Sequence, residues 1–310
     1  MAPELARLGH IALETPDLAD SMEFFHDAVG MEAVERTADT VYLRAMDEFS
    51  HHSLSLTEGD SAGVAHIGWQ TAEPEHVEQY AERLTEMGVD VRWVDEDEER
   101  GQGDAIRFEV PHGHTFELYF EMEKPDPPDE RRSRLRNRTY SPTKTNPVAP
   151  RQIDHVQIWD PNARDCAEWL QEHLDFEMHE RYNLEDGSRW GTFLSASGTK
   201  IEAAVIQNES GQTPPAVHHT AYTVDGGADL FEAGDAMKEH QVPIDGFGQH
   251  SISRGKFLYA RDTTTGHRIE FNDGGYLVFD PDWDPIEWEE TDLDDRQWLG
   301  GLTPGDAVHY

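Results

Sequence analysis

Cysteine, lysine and long apolar runs are what this chain has least of. Its one cysteine, Cys166, excludes an internal disulfide and falls at an apolar helical position, where it reads as inert core. Five lysines and 20 arginines stand against 63 acidic residues, for a formal net charge of −38. That balance argues against nucleic acid and anionic membranes as partners. No stretch of about 20 apolar residues exists, so no membrane span is expected. The opening MAPELARLGHIAL has no basic segment leading into an apolar one, so no secretory signal is expected and the chain reads as soluble and cytoplasmic. The acidic residues are spread along the chain among 8 Trp, 9 Tyr and 13 Phe, a content that disordered chains lack. The expectation is a folded protein with a hydrated acidic surface, from a salt-loving organism whose internal ions screen the self-repulsion.

What is present is a repeat. Four segments share a short strand with a central histidine, then a helix, then further strands: LGHIALET (8–15), VAHIGWQT (64–71), IDHVQIWD (153–160) and VHHTAYTV (217–224). Helical spacing follows each, through Leu18, Met22, Phe25 and Val29; Val77, Tyr80 and Leu84, ending at Met87-Gly88; Cys166, Trp169, Leu170 and Leu174; and, less regularly, Leu230, Phe231 and Met237. The second and fourth segments close alike, in PHGHTFELYF and TTGHRIEFND. Glu117 follows His66 and Glu270 follows His219 by the same 51 positions (66 to 117, 219 to 270). The chain therefore reads as two tandem copies of two modules: a first domain over 1–122, a Pro- and Arg-rich connector over 123–150, a second domain over 151–277, and an acidic tail over 278–310 whose Trp283, Trp288 and Trp298 pack on the domains. The connector's Arg131, Arg132, Arg134, Arg136 and Arg138 read as ion-pair partners of the acidic domains.

Strand alternation puts Ile153, His155 and Gln157 on one face, Val217, His219 and Ala221 on another with His218 pointing away, and Arg268, Glu270 and Asn272 on a third. Each strand can aim one ligand into a common hollow. Two imidazoles and one carboxylate leave adjacent coordination positions open, a set that suits non-haem ferrous iron. A single His on a strand is more often a structural residue than a ligand; three residues in repeat-equivalent frames are harder to dismiss and weigh evenly between a metal site and structure.

With these motifs the chain resembles the two-domain extradiol ring-cleaving dioxygenases of the vicinal oxygen chelate superfamily, of the catechol 2,3-dioxygenase and homoprotocatechuate 2,3-dioxygenase kind. The resemblance runs through VYLRAMDEFSHHSLSL (41–56), IDHVQIWDP (153–161), VHHTAYTV and GQHSISRGKFLYARDTTTGHRIE (248–270), and departs at the Thr263, Thr264, Thr265 turn. It implies an α+β fold of four βαβββ modules paired into two tandem domains. It implies Fe(II), with manganese as a possible substitute, on His155, His219 and Glu270. His250 and Tyr259 would contact and orient the substrate, and Arg296 would reach toward the pocket, although an isolated Arg in an acidic tail reads more simply as a salt bridge. Gln157 would line the pocket. A catechol-type molecule and dioxygen would be the substrates, in a pathway of aromatic hydrocarbon breakdown, and the assembly would be a dimer or tetramer.

Three departures keep alternatives open. The family's acid/base histidine is replaced by Ile201, which cannot move a proton, a function typically worth roughly 10²–10⁴-fold. That change favours, as one rival, a ligand-binding protein without ring cleavage. A second rival is another metal-dependent member, such as a glyoxalase or epimerase. Asp245 or a neighbour stands where a substrate-carboxylate arginine is found in homoprotocatechuate enzymes, which favours an uncharged catechol. The first half has its own complete set, His10, His66 and Glu117, with His52 at the position matching Ile201 and Arg107 at that matching Tyr259; it is a relic, a second iron site or the sole one. His112 and His114 read as surface turn residues.

Overall fold

A computed structural model describes residues 4–96, 98–126, 129, 148–208, 216–294 and 298–299. The first half contains β1 (Leu5–Thr15), α1 (Leu18–Met22), β2 (Glu32–Arg36), β3 (Thr40–Arg44), β4 (Leu54–Glu58), β5 (Gly63–Thr71), α2 (Glu75–Glu86), β6 (Arg92–Val94), β7 (Ala105–Glu109) and β8 (Thr115–Tyr119). The second contains β9 (Ile153–Asp160), α3 (Ala163–Leu174), β10 (Glu177–Asn183), β11 (Arg189–Ser195), β12 (Ala203–Gln207), β13 (Ala216–Thr223), α4 (Asp229–Glu239), β14 (Ile244–Gln249), β15 (Lys256–Arg261) and β16 (Arg268–Asn272). Each half is one sheet. The orders are β2-β3-β4-β1-β5-β8-β7-β6 and, within the second, β10-β11-β12-β9-β13-β16-β15-β14. Each sheet is thus two βαβββ modules joined at their first strands, which run antiparallel at the centre. The expected four modules are the observed architecture.

The tail extends the second sheet at both edges. β17 (Ile286–Glu289) pairs parallel with β10, and β18 (Trp298–Leu299) pairs with β14. Trp283 Nε1 donates to His179 O at 3.2 Å, and buried Trp288 donates to the Glu180 carboxylate. Among the described residues no helix is long and apolar enough to cross a membrane. The arginines of the connector lie outside the described residues.

One apolar core runs through both halves, from Leu8, Phe25 and Trp69 to Cys166, Leu170 and Phe271. Cys166 is fully buried, as its helical position suggests. Three local expectations are corrected. The helix through Leu18 and Val29 is a five-residue α-turn capped by Asp17, whose Oδ1 accepts from Ala19 N and Asp20 N (both 3.0 Å). It continues as a π-helical turn in which Val29 N donates to Phe24 O (2.9 Å). The wider turn keeps Phe24, Phe25 and Val29 all buried. Phe231 is 66 % exposed, because α4 buries Leu230 and Met237 instead. His114 is buried, not a surface residue: its Nε2 lies 3.1 Å from Trp159 O of the other half, and His112 Nδ1 lies 2.8 Å from Asp160 Oδ1.

Candidate metal centre

Register decides which side chains meet. His155 on β9 sits opposite Ala221 on β13, Ala221 opposite Glu270 on β16, and Glu270 opposite Tyr259 on β15. Directly registered residues share a face of the sheet, so these four line one concave surface. The shift between Val217 and His219 in the β13–β9 pairing breaks strict alternation. His218 therefore does not point away: its Nδ1 lies 2.7 Å from His219 Nδ1, and its ring meets those of Trp159 and Tyr259.

His155 Nε2 and His219 Nε2 are 3.1 Å apart, and Glu270 Oε2 lies 3.3 Å from the first and 2.8 Å from the second. Donors about 2.1 Å from one ion and at right angles to each other lie about 3.0 Å apart, so the three fit one octahedral face. Glu270 Oε2 is buried and makes no well-directed hydrogen bond despite these approaches, as expected of donors aimed at a shared point. His155 keeps 14 % of its side chain exposed, while His219 and Glu270 are buried. Of the three, His155 is the one that keeps solvent-exposed surface.

Partners behind the triad fix its chemistry. His155 Nδ1 donates to Asp154 Oδ2 (2.8 Å), and Lys200 Nζ donates to Asp154 Oδ1 (3.0 Å). Asn272 Nδ2 donates to Glu270 Oε1 (3.2 Å). Burial disfavours a charged His155, but Asp154 and Glu270 outweigh it and raise its pKa to about 9. Burial wins at His219, lowering its pKa to about 4 against the pull of Glu270. Burial would raise Glu270, yet the two imidazoles hold it well below the usual carboxylate range. His250 Nε2 and Tyr259 OH are 3.1 Å apart; burial lowers the pKa of His250, and burial with the Glu270 charge keeps Tyr259 a phenol. Arg296 lies outside the described residues.

The same concave face carries an apolar wall. Gln157 registers with Ala204, Trp159 with Ile206, and Ala204 with Phe193. Phe193, Ala204 and Ile206 cluster with Trp159, Trp190, Ile201 and Ile252. Ile201 belongs to this wall. Counting back from the registered pairs Val156–Ala203 and Ile11–Leu54 places it where the first half has His52. Asp245 is held by Arg261 Nε (3.0 Å) and Arg268 Nη2 (3.3 Å). Its charge is matched by these two guanidinium groups, so it is not the unopposed negative charge that the sequence suggested.

The first half repeats the frame: His10 registers with Gly68, Gly68 with Glu117, and Glu117 with Arg107. His10, His66 and Glu117 converge, joined by a fourth residue, Glu99. This cluster is closed, since Arg107 bonds both Glu117 and Glu99. Asp154 and Glu99 were missed in the sequence, and His218 was placed on the wrong face. Asp154 left a readable signal, a carboxylate next to a candidate ligand; Glu99 sits in the β6–β7 loop, whose repeat counterpart, the β14–β15 loop, carries His250 and no carboxylate.

Comparisons with known proteins place these features. Residues 64–123 match the catechol 2,3-dioxygenase-like N-terminal domain, and residues 152–271 match the glyoxalase/bleomycin resistance protein/dioxygenase superfamily. The chain is 45 % identical to the manganese-dependent 2,3-dihydroxybiphenyl 1,2-dioxygenase of Geobacillus genomosp. 3, over 98 % of this chain and 97 % of that one. It is 33 % identical to a metapyrocatechase of Geobacillus stearothermophilus, over 97 % and 91 %. The crystal structure of homoprotocatechuate 2,3-dioxygenase from Arthrobacter globiformis superposes with a TM-score of 0.88 at 27 % identity, covering 100 % of this chain and 92 % of that one.

Proposed function

The chain belongs to the extradiol ring-cleaving dioxygenases of the glyoxalase/bleomycin resistance protein/dioxygenase superfamily, and on that premise we propose that its second half opens a catechol-type ring with dioxygen at His155, His219 and Glu270. The observation that carries the assignment is the convergence of two Nε2 atoms and one carboxylate oxygen within 3.3 Å of one another, with His155 partly exposed beside them. Fe(II), or manganese in its place, would be held by these three residues and would supply a Lewis acid that lowers the pKa of a bound catechol and lets electron density pass from ring to oxygen.

The chain's own groups do the rest. The wall of Trp159, Phe193, Ile206 and Ile252 excludes water and takes the face of an aromatic ring. Its apolar character favours an uncharged catechol bearing an apolar substituent. Tyr259 keeps its phenolic proton and donates it as a hydrogen bond to a substrate oxygen, with His250 beside it to set the direction. Because Ile201 carries no proton, the His250–Tyr259 pair is the proton-handling group in this reading. The working assembly is a dimer or tetramer; exposed Phe231 and Trp298, flanking Phe247, offer apolar surface for it.

The test is oxygen uptake together with the yellow ring-fission product, using 2,3-dihydroxybiphenyl and catechol on protein loaded anaerobically with Fe²⁺ or Mn²⁺. His219→Ala and Glu270→Gln are each expected to lower turnover by at least about 10³-fold. Ile201 favours one competing reading, a binding protein. Tight catechol binding with no oxygen consumed under either ion would establish it and remove the enzyme assignment.

A further inference from the structure

The first half carries a second set of converging ligand atoms that ring cleavage in the other half does not use. We propose that His10, His66, Glu99 and Glu117 hold a structural divalent transition-metal ion, so that the folded chain carries two ions with different roles.

The backbone frame is the same in both halves, since His10, Gly68 and Glu117 stand in the register of His155, Ala221 and Glu270. The donor sets differ. His10 Nε2 and His66 Nε2 are 3.0 Å apart; Glu117 Oε1 lies 3.4 and 3.6 Å from them; Glu99 places Oε2 3.0 Å from His66 Nε2 and Oε1 3.6 Å from His10 Nε2. Four donors about 2.1 Å from an ion at tetrahedral angles lie about 3.4 Å apart. The first half therefore offers four ligand residues around one point, Glu99 facing His66 through Oε2 and His10 through Oε1, where the second half offers three. Closed four-coordinate sites are the structural kind, and sites that keep a position free are the catalytic kind. Two imidazoles with two carboxylates suit Zn²⁺, Mn²⁺ or Fe²⁺.

Burial points the same way. All four residues are 6 % exposed or less. Two buried carboxylates need two positive charges. Arg107 is the nearby guanidinium, shared among Glu117, Glu99 and, at 3.8 Å, Glu98, and the buried His52 ring reaches Glu99 alone, at 2.9 Å. The carboxylates are also held in place by neighbours: Gln102 Nε2 donates to Glu117 Oε1 (2.8 Å), Ser55 Oγ donates to Glu99 Oε1 (3.2 Å), and His52 Nε2 lies 2.9 Å from the same Glu99 oxygen. The rival occupant is a proton shared between the two imidazoles. It would leave the His10 and His66 rings as members of a salt-bridge network only.

Elemental analysis of the intact chain, purified from medium supplied with Fe²⁺, Mn²⁺ and Zn²⁺, separates these. The expected result is two ions per chain, falling to one in the double variant His219→Ala, Glu270→Gln, and to one in His66→Gln. A single ion lost in the double variant overturns this inference and leaves the ring-cleavage reading intact. A single ion lost only in His66→Gln keeps the first-half ion and removes the second-half assignment. Should His66→Gln not fold, as judged by far-UV circular dichroism, anomalous scattering from wild-type crystals decides. A peak between His10 and His66 supports the ion, and its absence overturns it.

Discussion

His155 and His219 face one carboxylate with opposite protonation preferences, and that difference has a measurable consequence. His219, with its pKa lowered to about 4, is neutral at pH 7 and has a lone pair ready. His155, raised to about 9, carries a proton that a metal ion must displace. Ion affinity should then rise about tenfold per pH unit up to pH 9 and level off above it, with one proton released per ion bound. Metal titration at pH 6.5, 7.5 and 8.5 in two buffers of different ionisation heat checks both numbers, and a pH-independent affinity would show that His155 is already neutral in the free site. Asp154 sets this preference through a 2.8 Å hydrogen bond. Asp154→Asn should weaken metal binding by about 10–100-fold and move the levelling-off point to lower pH. Of the triad, alternation and the repeat made all three residues readable. His218 was misplaced because a bulge in β13 cannot be seen in a pattern of period two.

Glycines at the element scale separate the two halves more than the ligands do. A Cβ on Gly68 would fall on the His10 ring, 2.6 Å from Nε2, whereas Ala221 carries its methyl at the equivalent register. His10 is fully buried and has no room to swing. Gly68→Ala should therefore cost about 2–3 kcal/mol of folding free energy as an overpacked site, read from urea or guanidinium unfolding of the metal-loaded chain. A loss below about 0.5 kcal/mol would mean that the ring is not pressed against β5. Strands, module order and the centres of the helices were legible, because apolar period and turn residues set them locally. The π-turn after α1 and the exposure of Phe231 were not, since each depends on which face a neighbouring strand leaves free. Glu99 was illegible for a related reason: a loop residue reaches the cluster only through tertiary packing.

The whole molecule is stitched across its halves by buried polar groups. Ile153 N donates to Glu48 Oε1 (2.7 Å), and Leu8 N donates to Glu202 Oε1 (3.1 Å). His267 Nε2 lies 3.2 Å from Glu14 O, mirroring His114 on Trp159 O. With one core and these reciprocal contacts the halves should unfold together, and the net charge of −38 acts on that single transition. Most of the excess carboxylates lie on the surface, where like charges repel and the compact state suffers more than the extended one. Ions shorten the reach of that repulsion, from about 10 Å at 0.1 M to about 3 Å at 1 M. Raising NaCl or KCl over that range should lift Tm by several degrees, where about 1 kcal/mol corresponds to roughly 2–4 °C for a chain of this class. Surface ion pairs oppose the trend, but few cations are available to form them, and each exposed pair contributes only about 0–1 kcal/mol. Sodium and potassium chloride should act alike, because screening depends on ionic strength. Scanning calorimetry in both salts tests the balance. A Tm that falls with salt would show that ion pairing, not the shared negative charge, governs the stability of this surface.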